Sequence, residues 1–272
     1  MELADFRRKI ISELTPIAGS ADEARAMERI LLEEVLLMTP AHAFARPEFE
    51  VPDFIEARYA HILERLRGGE PLQYLLGHAR FYGMTLRVTP AVLIPRPETE
   101  QLVDLIIDRF GSRADLRVLD LGTGSGCIAL ALARSLKFAR VTGVDVSEAA
   151  LEVARANAAE QGLDVRFIQG DILDLQAIPG EWDVIVSNPP YVLRSEAAGM
   201  ERHVLDHEPE GALFVPDDDP MRFYQPAIDY WQSHHSAGGM LFFEINPLCA
   251  RIFTGADIER DFYGKERFAI YG

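Results

Sequence analysis

Seven consecutive residues constrain this chain most: Asp120-Leu121-Gly122-Thr123-Gly124-Ser125-Gly126. They follow a predicted strand over 117–120 and open a predicted helix over 128–136. Glycine lets a backbone turn tightly and lets a ligand come close. Downstream, the pattern predicts strands at 140–145, 165–168, 183–186 and 240–245, with a helix at 148–161 and a final edge strand at 268–271. Strands alternating with helices argue for a parallel sheet covered on both faces. In such a sheet, a glycine loop after the first strand is the place for a nucleotide-like cofactor. The spacing excludes two common ones. A dinucleotide fingerprint needs a glycine where this chain has Cys127, and a phosphate-binding P-loop needs Lys followed by Ser or Thr, which is absent.

Composition sets the remaining bounds. The 272 residues suit two modest domains, and 48% hydrophobic with 26% charged residues is the balance of a soluble globular protein. No apolar run approaches the ~18–20 residues of a membrane helix. Charge appears early (Glu2, Asp5, Arg7), without the apolar core of a signal peptide. Two cysteines, Cys127 and Cys249, build neither a disulfide framework nor a four-cysteine zinc site, so a cytoplasmic protein is expected. The net charge of −16 repels a phosphate backbone and favours a partner surface carrying positive charge. No membrane partner is expected, direct nucleic-acid binding is disfavoured, and the chain is expected to be a monomer.

Residues 1–78 predict a helical bundle. Good helix formers fill 21–32, Pro40, Pro47 and Pro52 divide the stretch into short helices, and a helix from Pro52 should end at Gly68-Gly69. Residues 79–97 change character. Phe81-Tyr82-Gly83-Met84 suggests a hairpin, followed by Pro90, Pro95 and Pro97, and the segment is expected to link the bundle to a domain over 98–272.

The form Asp-x-Gly-x-Gly-x-Gly of 120–126 resembles the first motif of S-adenosylmethionine-dependent methyltransferases. The second strand ends at Asp145, 23 residues beyond Gly122, near the spacing of a ribose-binding acid. A helix cap is the plainer role for Asp145, but Ser147 fills it better. Asp171 and Ile172 end the third strand; in such methyltransferases this acid meets the adenine amino group and the next side chain covers the ring. A solvated turn aspartate is an equal reading of Asp171 alone. The fourth strand runs into Asn188-Pro189-Pro190-Tyr191. Two prolines hold the backbone extended. The Asn188 side-chain oxygen and the Pro189 carbonyl are two acceptors that suit a planar NH2 group, with Tyr191 offering a stacking face. An amide nitrogen is a poor nucleophile because its lone pair is delocalised, and acceptors preorganised for both its N–H bonds act mainly in the transition state. The tetrapeptide narrows the chemistry to amino-group methylation and leaves adenine N6, guanine N2 and glutamine N5 open as acceptors.

Three further segments resemble one family. Gly69-Glu70-Pro71-Leu72-Gln73-Tyr74-Leu75-Leu76-Gly77, Phe81-Tyr82-Gly83 and Val92-Leu93-Ile94-Pro95-Arg96-Pro97-Glu98-Thr99-Glu100 closely resemble the release-factor glutamine methyltransferases, also called HemK or PrmC. With the glycine loop, Asp145, the tetrapeptide, Glu208-Pro209 and Ala212-Leu213, the resemblance spans roughly 69–213, and Gly264-Lys265-Glu266-Arg267-Phe268 resembles the family's end. It implies a Rossmann-like class I S-adenosylmethionine-dependent methyltransferase domain with an N-terminal helical bundle joined by a β-hairpin linker. It implies methyl transfer from S-adenosyl-L-methionine to N5 of the glutamine in the Gly-Gly-Gln motif of class 1 peptide chain release factors. Gly122, Thr123, Gly124, Ser125, Gly126, Asp145, Asp171, Ile172 and Asn188 would contact the cofactor. Asn188, Pro189, Pro190 and Tyr191 would bind the substrate, with Asn188, Pro189 and Tyr191 at the chemistry. Segment 95–100 would border both pockets, unless Arg96 and Glu100 form only a structural ion pair. The helical domain would help dock the release factor. The family usually has Gly after Phe243-Glu244-Ile245, where this chain has Asn246-Pro247, and 249–261 is short for a full helix and strand.

Other features read as structural. His203 and His207 lie four apart but lack further metal ligands, and no metal is expected. Cys127 reads as a small packing residue. Two rival functions remain to be weighed. The net charge and the lack of a Lys/Arg-rich recognition segment weigh against an adenine-N6 nucleic-acid methyltransferase. The intact tetrapeptide weighs against a non-catalytic adaptor that binds release factors.

Overall fold

The computed structural model describes residues 1–272, the side chain of residue 202 excepted. The chain forms two compact units, Met1–Leu76 with Arg202–His207, and Gly77–Glu201 with Glu208–Gly272. The expected linker, 79–97, thus lies inside the larger unit, and a short helix from the second half of the chain belongs to the helical one.

The smaller unit holds α1 (Leu3–Ala18), α2 (Ala21–Val35), α3 (Pro40–Ala45), α4 (Asp53–Arg67) and α5 (Leu72–Leu76). Apolar spacing explains the packing: Leu3, Phe6, Ile10 and Leu14 line one face of α1 and are fully buried. They meet Leu31, Leu32 and Val35 of α2 and Tyr59, Ile62 and Leu66 of α4. Phe6 and Tyr59 pack edge to face with centroids 5.4 Å apart. The ends follow capping chemistry: Gly19 terminates α1 at φ +76°, the Ser20 hydroxyl accepts from Glu23 N, and Thr39 with Pro40 opens α3.

The larger unit begins with the hairpin β1 (His78–Phe81) and β2 (Met84–Arg87). Its two-residue turn, Tyr82-Gly83, has both residues at positive φ, as a type I′ turn requires. The hairpin is part of the core, not a tether. Phe81, Met84 and Leu86 are buried in one core with residues of α6 (Pro97–Phe110). A separate seven-stranded sheet is formed by β3 (Arg117–Leu121), β4 (Arg140–Asp145), β5 (Val165–Gln169), β6 (Trp182–Ser187) and, after the short pair β7 (Val192–Leu193) and β8 (Phe214–Val215), β9 (His235–Glu244), β10 (Asp257–Arg260) and β11 (Glu266–Tyr271). The order is β10-β11-β9-β6-β3-β4-β5; the five strands from β9 to β5 are parallel, and β11 runs antiparallel to β9 and β10.

Alternation along each strand feeds two cores. Val118, Val184, Val186 and Phe242 face α6 and α7 (Cys127–Ser135), with Ala158 of α8 (Glu148–Gln161) joining them. Leu119, Leu121, Ile185, Leu241 and Phe243 face α10 (Tyr224–His234), the helix that follows α9 (Arg202–His207). Covered on both sides, β6 is buried at every residue. The expected edge strand 268–271 lies between β9 and β10 instead. Its continuous buried run, Phe268 to Tyr271, demands a neighbour on each side, whereas the charge-rich Asp257–Arg260 tolerates the edge. The chain leaves β3 toward β4 and β5, then returns across it to β6 and β9. The carboxyl ends of β3 and β6 therefore flank the point where such a sheet opens a crevice.

Candidate active site

A cavity of about 270 Å³ lies at those strand ends. One wall is backbone. Gly122, Gly124 and Gly126 all take positive φ, +73°, +54° and +81°. Gly122 N and Thr123 N donate to Val144 O at 2.8 and 2.9 Å, and Gly126 N donates to Thr123 O at 2.8 Å, which winds the loop tightly over β4. A Cβ on Gly122 or Gly124 would meet nothing within 4 Å, so the chain leaves open space at both. At Gly126 a Cβ would lie 3.2 Å from that of Ala154, so this third glycine serves helix packing. Beneath the loop, the buried Asp120 accepts from the Thr123 hydroxyl at 2.6 Å and from Ala129 N at 3.2 Å, while its Oδ1 has no partner among the described residues. Burial raises its carboxyl to about 7.

Asp145 ends β4 and lines the cavity; its oxygens accept from Gly124 N at 2.8 Å and Ser147 N at 2.9 Å. Burial raises this carboxyl above its ordinary value. Ser147 caps α8 by accepting from Ala150 N, which leaves Asp145 to brace the glycine loop. Asp171 and Ile172 line the same cavity, with Asp171 exposed and accepting from Leu173 N at 2.8 Å. The wall has what a nucleoside-bearing cofactor requires: open backbone at two glycines, a carboxylate at the end of β4, and an apolar side chain at Ile172. Cys127 also lines it, and burial pushes its thiol up to about 12, so it is no nucleophile.

The opposite wall is the proline corner. The Ser187 hydroxyl donates to Leu121 O at 2.7 Å and fastens the end of β6 to the end of β3. This places Asn188, Pro189 and Pro190 on the cavity beside the glycine loop. Asn188 Nδ2 donates to Thr99 Oγ1 at 3.2 Å, and among the described residues neither Asn188 Oδ1 nor the Pro189 carbonyl has a partner. Tyr191 departs from expectation. It does not line the cavity, because its hydroxyl donates to Glu244 Oε1 at 2.9 Å and its backbone oxygen accepts from Asn246 Nδ2 at 3.1 Å. Glu244 is 1% exposed, at the end of β9, and also accepts from the Thr99 hydroxyl at 2.8 Å. Burial raises its carboxyl, opposed by the Thr99 and Tyr191 hydroxyls and by the charge of Arg267.

Arg96 and Glu100 are not paired. Arg96 Nη2 lies 2.5 Å from Oε1 of the buried Glu208, whose Oε2 accepts from Ile94 N at 3.2 Å, so Glu208 fixes the loop that borders the cavity. Glu100 instead accepts from Tyr82 N at 2.7 Å in the hairpin. Asn246, standing where the family usually has Gly, caps the turn Pro247–Ile252 and holds Glu196 at 2.6 Å as well as Tyr191. Sequence reasoning placed Thr99 in the segment bordering the pockets, and Thr99 does line the cavity, but it assigned no role to Ser187, Glu208, Phe223 or Glu244. Ser187 and Glu244 carry a recoverable signal, each a polar residue closing an apolar strand; Phe223, a cavity-lining residue ahead of α10, carries none.

No helix among the described residues is long and apolar enough to cross a membrane. Residues 8–77 match the PrmC N-terminal domain family and 118–204 match a methyltransferase domain family. A release factor glutamine methyltransferase of Bacteroides thetaiotaomicron is 39% identical over 90% of this chain and 91% of its own length. One from Flavobacterium psychrophilum is 34% identical over 98% of each. A solved T. thermophilus 16S rRNA N2 G1207 methyltransferase, in complex with AdoMet and guanosine, shares the fold at 21% identity, with a TM-score of 0.51 over 71% of this chain and 49% of that one. Near-full-length identity of this order, together with both domain matches, settles kinship: the chain belongs to the release factor glutamine methyltransferase family.

Proposed function

We propose that this protein transfers a methyl group from S-adenosyl-L-methionine to N5 of the glutamine in the Gly-Gly-Gln motif of class 1 peptide chain release factors, in the cytoplasm. One observation carries this reading: two unpartnered acceptors, Asn188 Oδ1 and the Pro189 carbonyl, share a cavity with the open glycine loop. When bound, the cofactor supplies a methyl group activated by a positive sulfur. Gly122 and Gly124 would leave room for it, Asp145 would accept from its ribose hydroxyls, and Asp171 with Ile172 would border its base.

The carboxamide of the substrate glutamine is held by the proline corner. Asn188 Oδ1 and the Pro189 carbonyl accept its two N–H bonds and fix the plane in which the nitrogen lies. Amide resonance costs ~18–20 kcal/mol to break fully. Acceptors on both N–H groups offset part of that cost by stabilising a nitrogen that gains positive charge as it is alkylated. The cavity thereby orients the nitrogen toward the glycine-loop wall. No side chain has to remove a proton first; the alkylated nitrogen is strongly acidic and gives its extra proton to water, while Asn188 Oδ1 keeps its hydrogen bond to a remaining N–H. Tyr191 supports the corner from behind through Glu244. The helical unit is assigned a part in docking the release factor.

The test is transfer of labelled methyl from S-adenosylmethionine to a class 1 release factor, to the same factor with its motif glutamine replaced, and to DNA and tRNA. Label on the intact factor alone is expected. Label on the substituted factor or on nucleic acid would sink the reading.

A further inference from the structure

The proline corner works only if Asn188 presents oxygen, not nitrogen, to the cavity, and the two ends of a carboxamide have almost the same shape. A donor turned toward the substrate NH2 would meet another donor. Something must choose the orientation. Three side chains from distant parts of the chain meet behind Asn188: Thr99 from α6, Tyr191 after β6, and Glu244 at the end of β9. Thr99 is 2% and Glu244 1% exposed, so water does not compete for their hydrogen bonds.

With Glu244 ionised, as the Thr99 and Tyr191 hydroxyls and the charge of Arg267 favour, the protons in this cluster have one consistent order. As a carboxylate, Glu244 only accepts, and its two oxygens take the hydroxyl protons of Thr99 at 2.8 Å and Tyr191 at 2.9 Å. Thr99 has a single hydroxyl proton, already committed to Glu244, so toward Asn188 its oxygen can only accept. Only the NH2 end of Asn188 satisfies it, and Nδ2 is the atom found there, at 3.2 Å. The oxygen end is left for the cavity, where it has no partner among the described residues. The reversed carboxamide would set two lone pairs against each other in a buried site, a costly arrangement.

Resting on the reading of Asn188 as the carboxamide acceptor, we infer that Thr99 and Glu244 are positioning residues that set the polarity of the Asn188 side chain. Neither touches the reacting atoms. Glu244 fixes the proton of Thr99, and Thr99 fixes the end of Asn188 that faces the substrate.

The test compares Thr99→Ser, Thr99→Val and Thr99→Ala in the full-length protein, measuring kcat and KM for the release factor and Kd for S-adenosylmethionine by calorimetry. Serine keeps the hydroxyl and is expected to hold kcat near wild type. Valine, close to threonine in shape, is expected to lower kcat by about 10- to 100-fold, the scale of a misplaced catalytic group, with KM and cofactor Kd little changed. Where valine disturbs folding, the serine–alanine pair isolates the hydroxyl; equal kcat in those two would overturn the inference, as would wild-type kcat in a folded Thr99→Val. Glu244→Gln turns an N–H toward one of the two hydroxyls and is expected to lower kcat as well; wild-type kcat there would overturn the part given to Glu244. A wild-type protein that methylates no release factor would instead sink the proposed function, so the two failures are distinguishable.

Discussion

The two walls of the cavity are built by opposite means. The glycine-loop wall is backbone: a short run of residues, three at positive φ, pinned by main-chain bonds to Val144 and braced by one carboxylate, Asp145. The proline-corner wall is a side-chain assembly. Asn188, Thr99 and Glu244 stand 89 and 145 residues apart along successive links of one hydrogen-bonded chain. The contrast shows how each wall fails. A backbone cradle loses shape when a Cβ is added, and with it binding or stability. A side-chain corner can lose its chemistry to a single substitution while its shape and its affinities survive.

The largest expected effect is on the corner. Asn188→Ala removes one of the two acceptors and also the partner of Thr99. Methyl transfer should fall by at least ~10²-fold, the usual loss for one preorganised group, while cofactor binding persists. Single-turnover transfer alongside calorimetric titration reads both, and unchanged turnover would break the comparison. On the other wall, Gly126→Ala forces an alanine into φ +81° with its Cβ 3.2 Å from that of Ala154. A loss of about 1–3 kcal/mol in unfolding free energy is expected, measured by denaturant titration. Gly122→Ala also carries the cost of positive φ but meets nothing within 4 Å, so a lesser loss of stability there sharpens the assignment of Gly126 to packing.

The same contrast governs what the amino-acid sequence alone reveals. That the glycine loop, Asp145 and Asn188–Pro190 share one cavity was legible because each is marked by residues adjacent in sequence, whereas Tyr191 was expected there and lies behind it. The helix and strand order was legible because apolar spacing records which faces are covered. The links from Asn188 to Thr99 and from Thr99 to Glu244 were not, because each joins partners that only the folded sheet brings near. The ion pair of Arg96 went to Glu208 and not to Glu100 for a related reason. Glu100 lies one helical turn further on, where the hairpin's Tyr82 N–H claims it. The placement of β11 was partly recoverable. Four consecutive buried positions, Phe268 to Tyr271, already imply a strand flanked on both sides, while the preceding Asp257–Arg260 carries the charges of an edge.

Asp145 tests the glycine-loop wall from its polar side. Asp145→Ala removes the brace on Gly124 N and the acceptor proposed for the ribose. A tenfold weakening of cofactor binding, about 1.4 kcal/mol, is expected, with KM for the release factor unchanged. An equal loss in kcat at saturating cofactor would show that the two walls are not separable.

The smallest effect lies beneath that wall and is read as pH dependence. Asp120 is held at about 7 by burial, against an ordinary value of 3.8. A carboxyl with a raised folded-state pKa binds more protons folded than unfolded between those two values. Its contribution to stability is therefore full below about 3.8 and is lost as pH rises through 7. Between pH 6 and 8 this group should remove about 1 kcal/mol of folding free energy, a slope seen as a falling Tm. Asp120→Asn keeps an acceptor for Thr123 and Ala129 but cannot ionise, so its Tm should be flatter over the same interval. Because Asp120 lies under backbone and touches neither acceptor of the corner, the substitution is expected to leave kcat at saturating cofactor unchanged. A fall in kcat would mean that the charge beneath the loop is felt across the cavity, and that the backbone wall has a share in the chemistry assigned here to the side-chain wall alone.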